Sequence, residues 1–425
     1  MQISGSVRDA ETGAVLSGVE LRTADNQVFS DAAGRFVLTT TSLRLIARLP
    51  GYRPLPVVVD SSLKIALQPF VPKALYLSFW GASRPEKRQQ ILALIADTQL
   101  NALVIDIKSS RGYIAYRSNI PLARQIGAQR VRPLKDLPEF LAEMKSRGIY
   151  SIARIVVFKD DLLARQHPEL AAHDSNGQVW QDREKLRWSD PFSQQVRDYN
   201  LDVAEEVAGL GFDEIQFDYT RFPSRSDLRF SQPTTDENRV AAINLFLSQA
   251  KQRLATYPVQ TSVNIFGYIC WKHRDGKIGQ RLVDLGERVD YLSPMLYPSG
   301  FSRGIPGYAD PVKNPYAVIA ASLQKAQQLS GLAPERFRPW LQAFRDYAFD
   351  RRSFSAEEVH AQINASDALG SNGWMLWNAA SRFSLAGIKQ EISFAERKLV
   401  DVAPKAAESA ILTRSEALVS LPPAL

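Results

Sequence analysis

Asp218 and Asp106 each stand at the end of a strand-like run, and their placement raises the chemical question. In Gly211 to Pro223, GFDEIQFDYTRFP, the apolar residues Ile215, Phe217 and Tyr219 alternate with Glu214, Gln216, Asp218 and Thr220. Side chains on a strand point to opposite faces with a period of two, so one face is apolar and the other is a polar ladder ending in a carboxylate. Pro223 has no N–H to give a ladder, so the strand must finish close to Tyr219. Asp218 then lies at the C-terminal end with Arg221 just beyond it, either as a reactive group or as a barrel-lining Asp paired with Arg221.

Other runs end the same way. Asp106 and Lys108 close a second strand, Arg154 and Lys159 a third, and Gln216 precedes Asp218 on the fourth. Asn264, Tyr297, Gln342 and Asn378 fall at the ends of the fifth to eighth. Together these groups would converge on one rim. Aromatic residues cluster there as well, Trp80, Phe266, Tyr268, Trp340 and Trp377 among them. Most are expected to be core, and the remainder to stack on the apolar faces of sugar rings.

Several chemistries lose support. The four histidines, His167, His173, His273 and His360, have no mutual ligand spacing, and Cys270 is the single cysteine. No metal site, cysteine cluster or intramolecular disulfide is therefore expected. No glycine-rich phosphate loop opens a helix and no G-x-S-x-G elbow is present, which argues against phosphoryl transfer, dinucleotide cofactors and serine hydrolysis. What remains is carboxylate-based hydrolysis without a cofactor.

The elements that must hold these groups follow from periodicity. Residues 1 to 70 read as a separate all-β unit: short runs such as Ile3 to Arg8, Arg35 to Thr40 and Leu63 to Leu67 are spaced by turn signals, the pattern of a small sandwich. From residue 71 to about 395, strands alternate with amphipathic helices. Leu75 to Trp80, Ala102 to Lys108, Tyr150 to Phe158, the stretch carrying Asp218, Gln260 to Phe266, Val289 to Leu296, Arg338 to Phe344 and Gly373 to Trp377 make the eight strands of an α/β fold, a (β/α)8 TIM barrel. Long loops after the third, fourth and sixth strands would wall a cleft at the C-terminal face. Residues 396 to 425, rich in Ala, Ser and Pro, read as a tail or an appended helix.

The chain has 425 residues, 45% hydrophobic and 23% charged, with a formal charge of +7 and no block of like charges. That balance favours a solvated surface over nucleic-acid binding. The opening MQISGSVRDAETG shows no signal-peptide core and no apolar run reaches membrane-spanning length, so no membrane span is expected. A cytoplasmic location is the default expectation, with export after removal of a leader left open, and nothing sets an oligomeric state.

Two resemblances add to this reading. GSVRDAETGAVLSGVEL, SDAAGRFVL and ARLPGYRP make residues 1 to 70 similar to the carboxypeptidase regulatory-like, transthyretin-type β-sandwich, a module usually without catalysis. The segments VIDIKSSRG, FDEIQFDYTRFPS, SPMLYPSGF, FRPWLQAF and GWMLWNAAS, in order from about Leu75 to Ser381, resemble the glycosyl hydrolase family catalogued as domain of unknown function 4015. That resemblance implies a polysaccharide substrate and a nucleophile at the end of the fourth strand, which is Asp218. Asn264 and Ala343 stand where the family often has Asp, so two carboxylates near the cleft are missing.

Glycoside cleavage needs two carboxyl groups. The reading therefore names Asp218 as nucleophile or base and Asp106 as the second carboxylate, with Asp160, Asp161 and Asp346 as weaker candidates. Glu214, one layer deeper, is expected to pair with Arg154, and Lys108 to act on Asp106. Arg154, Gln216, Arg221, Asn264, Tyr297, Gln342, Trp377 and Asn378 are expected to bind substrate. Loss of catalysis in a carbohydrate-binding barrel, or an adhesion or scaffold role, are the alternatives.

Overall fold

The computed structural model describes residues 1–384 and 387–388. The first 67 residues form strands β1 (Gln2–Asp9), β2 (Glu20–Arg22), β3 (Gln27–Phe29), β4 (Arg35–Thr39), β5 (Arg44–Arg48), β6 (Leu55–Val58) and β7 (Ser62–Leu67). They make a three-stranded sheet in the order β4-β1-β7 and a four-stranded sheet in the order β3-β2-β5-β6. The alternation is clear in β4 and β7, where every second side chain is buried. Ile3, Val7, Leu21, Phe36, Leu45 and Ile65 form the shared core. Each run expected as a strand is one, with ends shifted by a residue or two.

The rest of the described chain is a closed barrel of β8 (Lys73–Leu77), β9 (Ala102–Lys108), β10 (Tyr150–Val156), β11 (Glu214–Asp218), β12 (Gln260–Phe266), β13 (Tyr291–Met295), β14 (Trp340–Gln342) and β15 (Trp374–Trp377). Neighbours follow chain order and pair in parallel, with β15 closing onto β8. Helices return the chain between strands, and sequence marks their starts. Ser193 and Thr235 accept hydrogen bonds from the backbone amides of Val196 and Asn238, and Ser355 with Glu358 forms a capping box. Residues 396–425, and the last part of the stretch expected to belong to the barrel, lie outside the described residues.

Both faces of β11 are buried because helices cover the outside and side chains fill the inside. Ile215 and Phe217 point outward, and Phe217 meets Phe246 of the helix Asp236–Arg253 edge to face at 5.2 Å. A large apolar side chain buried this fully contributes about 1.5–3 kcal/mol. Glu214, Gln216 and Asp218 occupy the lumen face, so the polar ladder runs up the inside of the barrel. Tyr219 leaves the alternation. Its φ is +49°, a left-handed conformation that ends the strand and carries its ring into the cleft instead of the apolar face.

The sandwich docks on the opposite end. The backbone amide of Gly51 donates to the Tyr291 hydroxyl at 2.7 Å, Gln260 Nε2 donates to the Tyr52 carbonyl at 3.1 Å, and Arg48 donates to the Leu254 and Tyr257 carbonyls. Arg53 lies over the rings of Phe70 and Tyr150, at 3.9 and 5.3 Å from their centroids, and donates to the Gly148 carbonyl. Gly148, Tyr150, Gln260 and Tyr291 lie at or just before the beginnings of strands, so this contact covers the N-terminal face and leaves the C-terminal face open.

Candidate active site

Register brings the site together. Arg154 of β10 lies opposite Asp106 on β9 and opposite Gln216 on β11, and Asp218 stands one inward position above Gln216. Arg154 sits between two carboxylates. Its Nε and Nη2 donate to Asp218 Oδ2 at 2.8 and 2.5 Å, and its Nη1 donates to Asp106 Oδ1. Asp106 Oδ2 accepts from the Tyr76 hydroxyl, and Asp218 Oδ1 accepts from the Tyr219 amide at 2.6 Å. Asp218, Asp106 and Arg154 are 4%, 5% and 6% exposed. Burial opposes the Arg154 charge, but the two carboxylates beside it raise its pKa well above the usual arginine value.

Aromatic groups frame this axis. Tyr76 stacks on Trp377 at 3.9 Å, and the Arg154 guanidinium lies 5.0 Å from the Trp377 ring centre. Tyr297 lines the cleft beside Asp218. Burial first, and the Asp218 charge second, push the Tyr297 hydroxyl far above its ordinary value, so it remains a proton-bearing group. Burial and then the Asp106 charge do the same to Tyr76.

Three cavities open on this face, two of them lined by a carboxylate of the axis. One of about 550 Å³ reaches Tyr76 and Asp106. A second, about 330 Å³, is lined by Asp218, Tyr219, Arg221, Phe266, Tyr268, Tyr297 and Tyr347. The third, about 690 Å³, shares Tyr219 and Arg221 with the second and extends to Trp180, Trp188 and Arg225. The expected walls after the third, fourth and sixth barrel strands are present. The walls after the first, second and eighth are additional, formed by residues 78–84, 109–113 and 379–382.

The other expected site residues divide. Arg221 does not hold Asp218. Its guanidinium lies over Trp188 and Tyr219 at 4.9 and 5.2 Å, Nη1 donates to the Phe222 carbonyl, and it pairs with no carboxylate among the described residues. Burial lowers its pKa. Gln216 lies in the lumen beneath Asp218, with Nε2 against Met375 Sδ and Oε1 unpartnered. Asn264 Oδ1 accepts from Trp340 Nε1 at 2.8 Å. Gln342 binds Ser299 and the Phe344 carbonyl. Asn378 ties the Ala343 carbonyl to the amides of Ala380 and Arg382. These last three have side-chain atoms committed to shaping the rim.

Two expected pairings are corrected. Glu214 pairs with Arg338, not Arg154, at 2.5 Å, and also accepts from Ser262 and Tyr150, because Arg338 enters the same lower layer of the lumen. Lys108 pairs with Asp160 at 2.7 Å, not with Asp106, because the β9–β10 register shifts between Asp106 and Lys108 and the Lys108 side chain is fully buried beside the Tyr199 ring, donating to the Val156 carbonyl. Asp160 and Asp161 are thereby committed, Asp161 to Arg187, and Asp346 caps its own loop. Among the described residues no group of three or more His, Cys, Asp or Glu is placed to hold a metal ion. No helix among them is long and apolar enough to cross a membrane.

Tyr219, which lines the cavity beside Asp218, is the residue that sequence periodicity places on the wrong face. The two tyrosines at strand ends, Tyr219 after Asp218 and Tyr297 after Met295, are the shared signal that would have flagged it.

The closed eight-stranded parallel barrel carries Asp106 and Asp218 at the carboxyl ends of β9 and β11, bridged by Arg154 of the strand between them, at the face where (β/α)8 barrels place their sites. The chain belongs to the family described as "Putative glycosyl hydrolase domain", domain of unknown function 4015, which matches residues 74–383. No curated protein matches it. Among solved structures, a hypothetical protein from Ruminiclostridium thermocellum is 37% identical over 44% of this chain and 96% of its own, with a TM-score of 0.41. α-L-Fucosidase isoenzyme 2 from Paenibacillus thiaminolyticus is 15% identical over 75% of this chain and 48% of its own, TM-score 0.52. A β-galactosidase from the psychrophilic Marinomonas ef1 is 13% identical over 81% and 60%, TM-score 0.52. These last two are similar in fold.

Proposed function

We propose that the barrel is a glycoside hydrolase acting on a polysaccharide, with Asp218 as nucleophile or base and Asp106 as the second carboxylate. The observation that carries this is the Asp106–Arg154–Asp218 axis, with one cavity lined by Asp106 and another by Asp218. Carboxyl groups on either side of a glycosidic bond are the machinery of the reaction: one protonates the leaving oxygen while the other attacks the anomeric carbon or activates water. Arg154 fixes the orientation of both. Cavities open on the Asp106 side and on the Asp218 side of the axis, as a polymer requires, and Phe266 and Tyr347, 40% and 52% exposed in the Asp218 cavity, offer ring surface to sugars. Arg221 and the Tyr297 hydroxyl supply donors near Asp218.

For Asp106 to act as acid it must carry a proton, and transfer of that proton to the leaving oxygen leaves a carboxylate that Arg154 and Tyr76 already receive. The supporting shell is therefore arranged for the product state of the acid step. Asp218→Asn and Asp106→Asn, assayed by reducing-end release across a glycan panel, test the assignment. Each is expected to lower turnover by about 10³-fold or more while the fold is retained. Unchanged turnover in Asp218→Asn overturns the reading.

One observation favours a second reading, a carbohydrate-binding barrel without catalysis: both carboxylates are bonded to the same guanidinium, and Asn264 and Ala343 add no third acid. Glycan binding with no reducing-end release in the unmodified protein selects it.

A further inference from the structure

The cavity on the Asp106 side of the axis has a charge the reaction does not call for. Four cationic side chains line it, Arg84, Lys87, Arg111 and Arg382. None of the four makes an ion pair or side-chain hydrogen bond with another described residue. Other arginines on this chain meet carboxylates, as in Arg88 with Asp136, Arg239 with Asp275 and Arg253 with Asp202, whereas these four converge on one cavity without such a pair. Asp106 is the only carboxylate in the lining, and it already faces Arg154, which it shares with Asp218. Glu86, exposed and next to Lys87 in sequence, does not line the cavity.

The cations are held by built backbone. Arg111 sits at the tip of a tight turn in which the Ser109 amide donates to the Tyr113 carbonyl and the Gly112 amide donates to the Ser109 carbonyl. Gly112 has φ +85° and no room for a Cβ, which would meet Asp160 Oδ1. Arg84 follows a turn closed by the Ala82 amide on the Ser78 carbonyl and the Gly81 amide on Ser78 Oγ. Trp80, 59% exposed, stands in the same wall and offers a face to a ring.

We propose that this cavity is an anion-accepting subsite, so that the glycan taken by the groove bears carboxylate, phosphate or sulfate groups. The proposal rests on the reading that the groove binds glycan, and deepens it by naming the charge class. A concave site of one sign concentrates counter-charged ligand and discriminates against neutral chains. Each such contact is worth about two- to fivefold in affinity when exposed, so the whole set is worth far more than any single one.

The test is binding, measured by calorimetry on Asp218→Asn protein, so hydrolysis does not enter. A galacturonate hexamer is compared with its fully methyl-esterified form, which has the same sugars without the charge; sulfated and phosphorylated maltohexaose are compared with maltohexaose. At least one anionic probe is expected to bind about tenfold or more tighter than its neutral counterpart, a gap that closes as salt approaches about 0.5 M. The probe with the largest gap identifies the anion. Arg111→Ala with Arg382→Ala, both exposed, is expected to remove most of that gap, and Lys64→Ala with Lys145→Ala, remote and exposed, to leave it. Equal affinity for charged and neutral probes overturns the proposal, as do no binding of any anionic probe at millimolar concentration, equal loss in both double variants, or tighter binding of a DNA duplex. Failure of hydrolysis in the unmodified protein alters none of these readouts.

Discussion

Arg154 delivers two of its hydrogen bonds to one oxygen of Asp218, Oδ2, and turns its remaining terminal nitrogen to Asp106. The geometry depends on the planar fork of a guanidinium, since an ammonium cannot face two carboxylates on different strands with three fixed donors. Arg154→Lys is therefore expected to keep the charge and lose the alignment, lowering kcat/KM by about 10²–10³-fold with a smaller change in KM. Arg154→Ala is expected to lose about 3–5 kcal/mol of stability as well, because two buried carboxylates then lack their counter-charge. Steady-state kinetics and urea denaturation separate the two effects, and wild-type kinetics in Arg154→Lys would remove the axis from the mechanism.

Glu214 and Arg338 make the same kind of pair one layer down, 0% and 1% exposed on the side chains, but far from the groove. Their role is to fill the lumen. Glu214→Ala is expected to destabilise by about 3–5 kcal/mol, since Arg338 stays buried without its counter-charge. Activity per folded molecule should change little. A loss of turnover at full stability would move Glu214 into the site.

The contrast between these pairs shows what sequence can carry. Asp218 is legible because period-two alternation and Pro223 together place a carboxylate at a strand end, and the lumen face of Glu214, Gln216 and Asp218 follows from the same period. Barrel strands are legible because helices separate them at regular intervals. Pairing is not, because partners come from strands far apart in the chain: Arg154 and Asp218 are 64 residues apart, Glu214 and Arg338 124. Alternation says which residues share a lumen and not which layer closes on which. That is why Glu214 was expected to meet Arg154. Tyr219 escapes for a different reason: a single positive φ inverts its side, and that conformation is set by the loop that follows.

The docking of the sandwich on the barrel floor gives a prediction about division of labour. Arg53 lies over Phe70 and Tyr150 and donates to Gly148. Arg53→Ala is expected to cost about 1–2 kcal/mol through lost stacking and a lost donor. Because the contact is on the N-terminal face, glycan affinity and kcat should remain at wild-type level. Thermal unfolding with parallel binding assays checks it, and weaker glycan binding in Arg53→Ala would give the sandwich a role in recognition.

Asp346 offers a pH test of the rim. Burial would raise its pKa, but donors from the Ala348 amide, the Ser299 hydroxyl and the Arg351 and Phe349 amides outweigh that and lower it well below the ordinary 3.8. A carboxyl group depressed in the folded state stabilises the fold fully above its unfolded value and loses that contribution as pH falls through the folded one. Asp346→Asn keeps one acceptor oxygen and turns an amide toward two backbone donors, so at pH 7 it is expected to lose about 2–3 kcal/mol. The stability gap between wild type and Asp346→Asn should be constant from neutral pH down to about pH 4 and narrow progressively below that. Its loop carries Tyr347, which lines the Asp218 cavity and stacks parallel to Phe344. Asp346→Asn is accordingly expected to raise KM more than it lowers kcat. A pH-independent stability gap would show that the Asp346 charge does not hold the loop, and an unchanged KM would separate that loop from the sugar-binding groove.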